Sequence, residues 1–384
     1  MLKTPNALLS ALSTEIEEDP RYLTEQIVTY LGNKRSLLNF LGRGLKYVKA
    51  RLGKEQLKAG DLFSGSGIVA RFLKKHSEEL IVNDLEEYSR LVNTCYLSNS
   101  GEVDGLELER HYRRLLRYME THESPGFITE LYAPRNPERI TAEDRVFYTR
   151  RNALYLDTAR QTINLLPEEV RPYFIAPLLA EASIHANTAG VFKGFYKDKQ
   201  GVGKFGGSGG NALSRILGDI SLQFPVFSRF DCRYSIHCRD ANELAEELPE
   251  MDVVYLDPPY NQHPYGSNYF MLNLLSSYKR PEKISRVSGI PKDWKRSTYN
   301  SRHQATESLF HLLESCPAKF ILLSYSSEGF IGYEEMTAFL ARLGHIATLE
   351  TPYATFRGSR NLKNRPQNAL KDGTKKEDSA CRLT

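Results

Sequence analysis

Asp257-Pro258-Pro259-Tyr260 follows the apolar run Val253-Val254-Tyr255-Leu256. That run reads as a buried strand, and ligands of open α/β sheets bind at the carboxyl ends of such strands. Two prolines fix the backbone and remove N–H donors, which leaves carbonyl oxygens to accept. The Asp257 carboxylate and the Pro258 carbonyl can then accept from one planar amino group, while Tyr260 offers a ring for a flat heterocycle. Four residues thus supply two acceptors for an exocyclic amine and a platform for the base that carries it. The alternative is an ordinary strand-ending turn.

Asp61-Leu62-Phe63-Ser64-Gly65-Ser66-Gly67 is a second place where chemistry is available. A strand that runs into a glycine turn and then a helix lets the backbone approach a ligand closely. The pattern fits dinucleotides, adenosyl cofactors or plain turn packing. It is not a phosphate-cradling P-loop, because no Gly-Lys-Ser/Thr follows. Asp84 closes the next strand, 17 residues after Gly67. An acid there can bond both hydroxyls of a ribose; equally, it can cap a helix.

The elements that must position these residues read as alternating strands and amphipathic helices. Strand signals end at Asp61, Asp84, Asp240, Asp257 and Tyr325, with a further one within 345–356. Strands alternating with helices predict a parallel α/β sheet. Residues 99–231 interrupt that pattern with helical, Arg- and Tyr-rich sequence and with a run of six glycines in residues 201–210. The expected organisation is one α/β domain made of 1–98 and 232–366, an insertion over 99–231, and a disordered polar tail over 367–384.

Composition excludes several classes. With 41% hydrophobic and 26% charged residues over 384 positions, the chain is neither fibrous nor mainly disordered. Apolar runs such as Phe320–Leu323 are far short of the roughly 20 residues of a membrane span. The acidic N-terminal stretch has no signal-peptide layout. Five scattered cysteines predict reduced thiols and a cytoplasmic protein. Cys232, His237, Cys238 and His185 lack zinc spacing, so no metal is expected.

The net charge of +4 is an average over unlike parts. His185–Arg239, Tyr278–Arg302 and Thr351–Thr384 carry +5, +6 and +5, which leaves −12 for the rest. Basic sections on an acidic body suit a polyanion bound on one side. Lys193, Lys197, Lys199 and Lys204 are interleaved with Phe192, Phe195, Tyr196 and Phe205, and Lys292, Lys295, Arg296 and Arg302 surround Trp294. Both clusters are candidate grips on a nucleic-acid backbone.

Taken in order, these motifs resemble the DPPY-type, alpha-group DNA adenine-N6 methyltransferases that use S-adenosylmethionine. The resemblance implies a Rossmann-like methyltransferase sheet with helices on both faces, and an inserted, mostly helical or irregular target-recognition region. It implies cofactor contacts at Tyr30 and Lys34 of Tyr30-Leu31-Gly32-Asn33-Lys34-Arg35, at Asp61, Phe63, Ser64, Gly65 and Gly67, at Asp84 for the ribose, at Asp240 for the adenine amino group, and at Asp257. It assigns catalysis to Asp257, Pro258, Pro259 and Tyr260. Tyr265 and Tyr269 fit the aromatic-rich loop after the catalytic turn, and Arg357 and Arg360 fit a C-terminal basic hairpin; both are expected at DNA. The glycine turn precedes Asp257 by about 190 residues, the alpha-group order. His263 departs from the family, which often has Arg there.

Displacement of a methyl group from a sulfonium by an exocyclic amine needs alignment more than acid–base power. The resemblance therefore implies a site-specific enzyme acting on adenine flipped out of double-stranded DNA, part of a restriction–modification system with a cognate restriction endonuclease. The alternatives are a methyltransferase acting on RNA or a protein amide, and a non-catalytic DNA-binding protein on the same fold. A spatial expectation follows: the three basic segments should line one cleft around Tyr260.

Overall fold

The computed structural model describes residues 17–29, 32–207, 209–210, 212–352 and 380–383. Among these, seven strands form one sheet in the order β3-β2-β1-β4-β5-β7-β6. They are β1 (Leu57–Asp61), β2 (Ser77–Asn83), β3 (Arg233–His237), β4 (Met251–Leu256), β5 (Ala318–Ser326), β6 (Leu349–Pro352) and β7 (Ala380–Leu383). The first five run parallel, and β7 lies antiparallel between β5 and β6.

Side-chain alternation explains why these segments become strands covered on both faces. Leu80 and Val82 enter one core while Ile81 enters the other; Val253 and Tyr255 face the first, Val254 and Leu256 the second. The first core is closed by helix α1 (Leu38–Leu52) and helix α2 (Ile68–Lys74), which contribute Leu41, Leu45, Val48, Val69 and Leu73. The second is closed by Ala305–Ser315 and Tyr333–Leu343, through Leu309, Leu312, Met336 and Phe339. Burial of apolar surface at about 25 cal/mol per Å² drives both layers.

Chain order reverses between β1 and β4. The connections from β1 build β2 and β3 on one side, whereas β4 and β5 extend the other. At such a switch point the loops after the two central strands diverge and leave a crevice. Gly60 pairs with Val254 and Asp61 with Tyr255, so the glycine turn and the Asp257 turn emerge side by side.

The inserted region shares a core with this frame. Helix Pro172–Ile184 packs on Glu87–Leu97 and in turn carries Arg150–Ile163, and Leu156, Phe174, Leu178 and Leu179 join Tyr88, Val92 and Tyr96 in one cluster. The same cluster contains Phe270–Ser277, the helix in the stretch that follows the Asp257–Tyr260 turn. Polar fastenings reinforce the join. Buried Arg160 donates to the carbonyls of Leu275 and Ser276. Asp157 accepts from the amides of Gly126, Ile128 and Thr129 and from the Tyr278 hydroxyl.

One expectation is corrected here. The tail over 367–384 is not all disordered, because Ala380–Leu383 is the strand β7, with Ser326 opposite Cys381 on one side and Thr351 opposite Cys381 on the other. The outer edge of β5 exposes a row of backbone donors and acceptors, and a short segment of suitable register fills it.

Candidate active site

The glycine turn is shaped by contacts that only glycine permits. Gly65 and Gly67 have φ of 54° and 76°. A Cβ on Gly67 would stand 2.9 Å from Asn93 Oδ1 and 3.3 Å from Val92 Cγ1. The Ser64 amide donates to the Asn83 carbonyl at 3.0 Å, and its hydroxyl accepts from Asn93 Nδ2 at 2.9 Å. Asp84 binds this turn to the next. Its two oxygens accept from the amides of Gly65 at 2.7 Å and Glu86 at 2.9 Å.

A crevice opens above these turns. Leu62, Phe63, Asp84, Asp240, Asp257 and Tyr265 line it, together with Asn83, Leu85, Glu86, Arg239, Lys295, Tyr299 and Asn300. Asp240 caps the short helix Ala241–Ala245 through the Asn242 amide at 2.8 Å. Phe63 meets Tyr299 edge-on, with ring centroids 5.1 Å apart.

Carboxylates gather at and beneath the crevice, and two of them, Asp61 and Glu86, are buried. Asp61 is fully buried, and its oxygens make no hydrogen bond of standard geometry among the described residues. Burial, then the charges of Asp257 and Asp84, push its carboxyl well above the usual range, and the nearby amides of Phe63 and Ala70 offset this only partly. Asp84 is pushed up to about 6 by burial, against the pull of the Glu86 and Gly65 amides and of Lys295. Glu86 is pushed up to about 7, again chiefly by burial. Burial also raises Asp257, opposed by Lys34 and by a hydrogen bond from Ser324.

Lys34 sits 2.6 Å from Asp257 Oδ2 and also donates to the Gly32 carbonyl at 3.2 Å. Pro258 is buried behind Asp257, whereas Pro259 and Tyr260 are half-buried. Tyr260 packs edge-on against Tyr325 of β5 at 6.2 Å, and its carbonyl accepts from the Phe330 amide at 3.0 Å. The crevice thus offers carboxylates from Asp84, Glu86, Asp240 and Asp257 and rings from Phe63, Tyr265 and Tyr299.

The structure brings together Lys34, Asp61, Phe63, Ser64, Gly65, Gly67, Asp84, Asp240 and the Asp257–Tyr260 turn. Tyr30, Arg357 and Arg360 lie outside the described residues, as does most of the third basic segment. Other residues expected at DNA divide. Lys193 and Lys197 are exposed and Lys204 is half-buried. Phe192 and Phe195, interleaved with them, instead pack on Phe147 and Phe270 in the core. The Phe192 amide donates to the Asn268 carbonyl at 2.7 Å, which sets this loop beside the catalytic turn. Arg296 lies over Trp294 at 4.5 Å.

Tyr265 and Tyr269 stand elsewhere than expected, while Lys295 is exposed. Tyr265 lines the crevice, stacked on Tyr269 at 5.9 Å. Tyr269 is 0% exposed and belongs to the helical core with Tyr88, so an aromatic in this loop supports the site from behind rather than meeting DNA. The Lys295 ammonium donates to the Leu85 carbonyl at 2.8 Å, at the mouth of the crevice. Glu86 and Tyr299 join the crevice without having been expected there from the sequence. Glu86 had a signal, as an acid two residues beyond Asp84 at the end of the same strand.

A family model described as D12 class N6 adenine-specific DNA methyltransferase matches residues 30–339. The chain is 27% identical over 339 residues to the type II methyltransferase M.NlaIII of Neisseria lactamica, covering 87% of this chain and 93% of that protein. It is 28% identical over 339 residues to the type II methyltransferase M.CviAII of Paramecium bursaria Chlorella virus 1, covering 86% and 93%. It is also 28% identical over 297 residues to the type II methyltransferase M.FokI of Planomicrobium okeanokoites, covering 74% of this chain and 42% of that protein. With its parallel sheet, its glycine turn and its Asp-Pro-Pro-Tyr turn matched in order, the chain belongs to the D12 class N6 adenine-specific DNA methyltransferase family.

Proposed function

We propose that the protein uses S-adenosylmethionine to methylate adenine N6 at a specific sequence in duplex DNA, and that it is the modification enzyme of a type II restriction–modification system. The observation that carries this reading is the emergence of the Asp257 turn beside the glycine turn at the sheet's switch point. The donor set suits the cofactor. Asp61, Asp84, Glu86 and Asp257 outnumber the cations beside them, which suits a ligand that brings positive charge and hydroxyls. Lys34, Asp61, Gly65, Asp84 and Asp240 would hold it. When bound, the cofactor supplies an electrophilic methyl group on a sulfonium.

The chain's own groups then act on the base. The Asp257 carboxylate and the Pro258 carbonyl accept from the exocyclic amine and draw its lone pair out of the ring. Tyr260 stacks on the flipped base, which offsets part of the few kcal/mol that flipping costs. Tyr325 backs the Tyr260 ring and keeps water from that side. Lys193, Lys197, Lys204 and Arg296 contribute phosphate contacts, which position the duplex without reading it. The inserted region over 99–231 carries target recognition.

The test is transfer of labelled methyl from S-adenosylmethionine to DNA, RNA and protein, with wild type and Asp257→Ala. DNA alone should be labelled, and the variant should bind DNA yet transfer nothing. Labelling of RNA or protein but not DNA, or undiminished transfer by the variant, would overturn the reading. Methylation-sensitive sequencing of DNA from cells that express the chain identifies the site, and a nuclease blocked by that methylation completes the system.

A further inference from the structure

Lys292–Arg302 was expected to reach DNA, yet its centre lies across the mouth of the crevice. Lys295 Nζ donates to the Leu85 carbonyl at 2.8 Å and stands 3.5 Å from Cys238 Sγ. A Cβ on Gly266 would be 2.6 Å from the Lys295 carbonyl and 3.1 Å from Trp294 Cε3, so the catalytic loop and this strap are in close contact. Further along, the Tyr299 hydroxyl donates to Asn242 Oδ1 at 2.6 Å and Asn300 Nδ2 to the Asn261 carbonyl at 2.8 Å. With the Phe63–Tyr299 ring contact, the run from Trp294 to Asn300 touches the loops after β1, β2, β3 and β4.

The charges agree with the contacts. Lys295 faces Asp84 and Glu86, and its field draws both carboxyls down against their burial. The remaining charged groups around the crevice are Asp61, Asp240, Asp257, Lys34 and Arg239. Lys295 is itself exposed, and what ties it to the crevice is its bond to Leu85, its contact with Cys238 and the pull of its charge on the two acids.

We propose that Lys295 is a positioning residue of the methyl-donor pocket, and that the Trp294–Asn300 strap and a bound cofactor stabilise each other. This rests on reading the crevice as the cofactor site. Because coupling of two equilibria is reciprocal, a cofactor that favours the closed strap must be held more tightly by it. Loss of the Lys295 ammonium should therefore weaken cofactor binding and leave cofactor-free DNA binding alone.

Trp294 is the chain's single tryptophan, so its fluorescence reports the strap directly. Acrylamide quenching is measured on the full chain with and without saturating S-adenosylhomocysteine, whose binding is followed independently by calorimetry. Saturation should lower the quenching constant at least about twofold. In Lys295→Met the calorimetric Kd should rise about tenfold or more, with partial recovery in Lys295→Arg. DNA affinity of Lys295→Met without cofactor should stay within about twofold of wild type, with the same salt dependence. Unchanged quenching at saturation, an unaltered cofactor Kd in Lys295→Met, or a DNA salt slope reduced by about one would overturn the proposal. Failure of the wild type to bind in calorimetry would instead overturn the reading of the crevice. The quenching measurement needs no variant, so a misfolded substitution does not decide the matter.

Discussion

The Lys34 ammonium lies 2.6 Å from Oδ2 of Asp257, and the two side chains are only 8% and 20% exposed. The pair joins the start of the N-terminal helical segment to the catalytic turn. Burial already raises the Asp257 carboxyl, and Lys34 is the main force holding it down. In the proposed mechanism Asp257 must be ionised to accept from the amine. Lys34→Met should therefore lower kcat/KM at pH 7 by roughly 100-fold, a loss of about 2.7 kcal/mol at the transition state. Removing the cation raises Asp257 further, so the acid limb of the rate profile should move to higher pH. A pH–rate profile parallel to that of wild type would argue against the pairing as the source.

The glycine turn makes a paired prediction. Gly67 combines φ of 76° with a crowded Cβ position, while Gly53, at the end of α1, has φ of 64° and open space around it. Gly53→Ala should cost about 1 kcal/mol, from the left-handed backbone alone. Gly67→Ala carries the same backbone cost plus displacement of Asn93, and should cost about 2–3 kcal/mol and raise the cofactor KM. Urea denaturation of the two variants separates the terms; equal losses would mean that the Asn93 contact relaxes freely.

Tyr260 is assigned a stacking role, which depends on its ring and not its hydroxyl. Tyr260→Phe should stay within about threefold of wild type, and Tyr260→Ala should lose roughly 10- to 100-fold, the worth of about 1–3 kcal/mol of stacking. A mismatch opposite the target adenine lowers the flipping cost and should restore part of the loss in Tyr260→Ala. Equal defects in both variants, with no rescue by a mismatch, would point to the hydroxyl.

The raised carboxyls make cofactor binding depend on pH. Burial pushes Asp84 up to about 6 and Glu86 up to about 7, and raises Asp61 well above the usual carboxylate range. A cationic ligand favours their charged forms, so binding should release protons and tighten as pH rises from about 5.5 to 7.5, by roughly tenfold if one proton is linked. The same shifts favour the empty folded state most below the unfolded values near 4, and that contribution is lost as pH rises through about 6 to 7. Calorimetry in buffers of different ionisation enthalpy measures the proton count; uptake rather than release would contradict the assignment of these acids to the site.

Much of the site could be read from residue order alone because its parts are local. The Asp257–Tyr260 turn needs only a buried strand and two prolines, and the Phe63–Gly67 turn needs glycines where φ is positive; both requirements are written in consecutive residues. The strands were legible for the same reason, since alternation at period two places Leu80 and Val82 on one face and Ile81 on the other. Charge was less informative. The basic stretch around Trp294 looked like a nucleic-acid grip, but lysine stems are long and nothing local says which way Lys295 turns.

By itself, then, the sequence determined the set of turns at the strand ends and the chemistry each can perform. Tertiary structure decided which of them share a crevice. Only the reversed strand order puts Asp61 beside Tyr255, only folding brings Lys34 to Asp257, and only the packed helical layer turns Tyr269 from a candidate DNA contact into core. The physical reason is that these relations join residues far apart in the chain. Their energies come from burial and from charges meeting in a shielded interior, and neither exists until the sheet and its helices have closed.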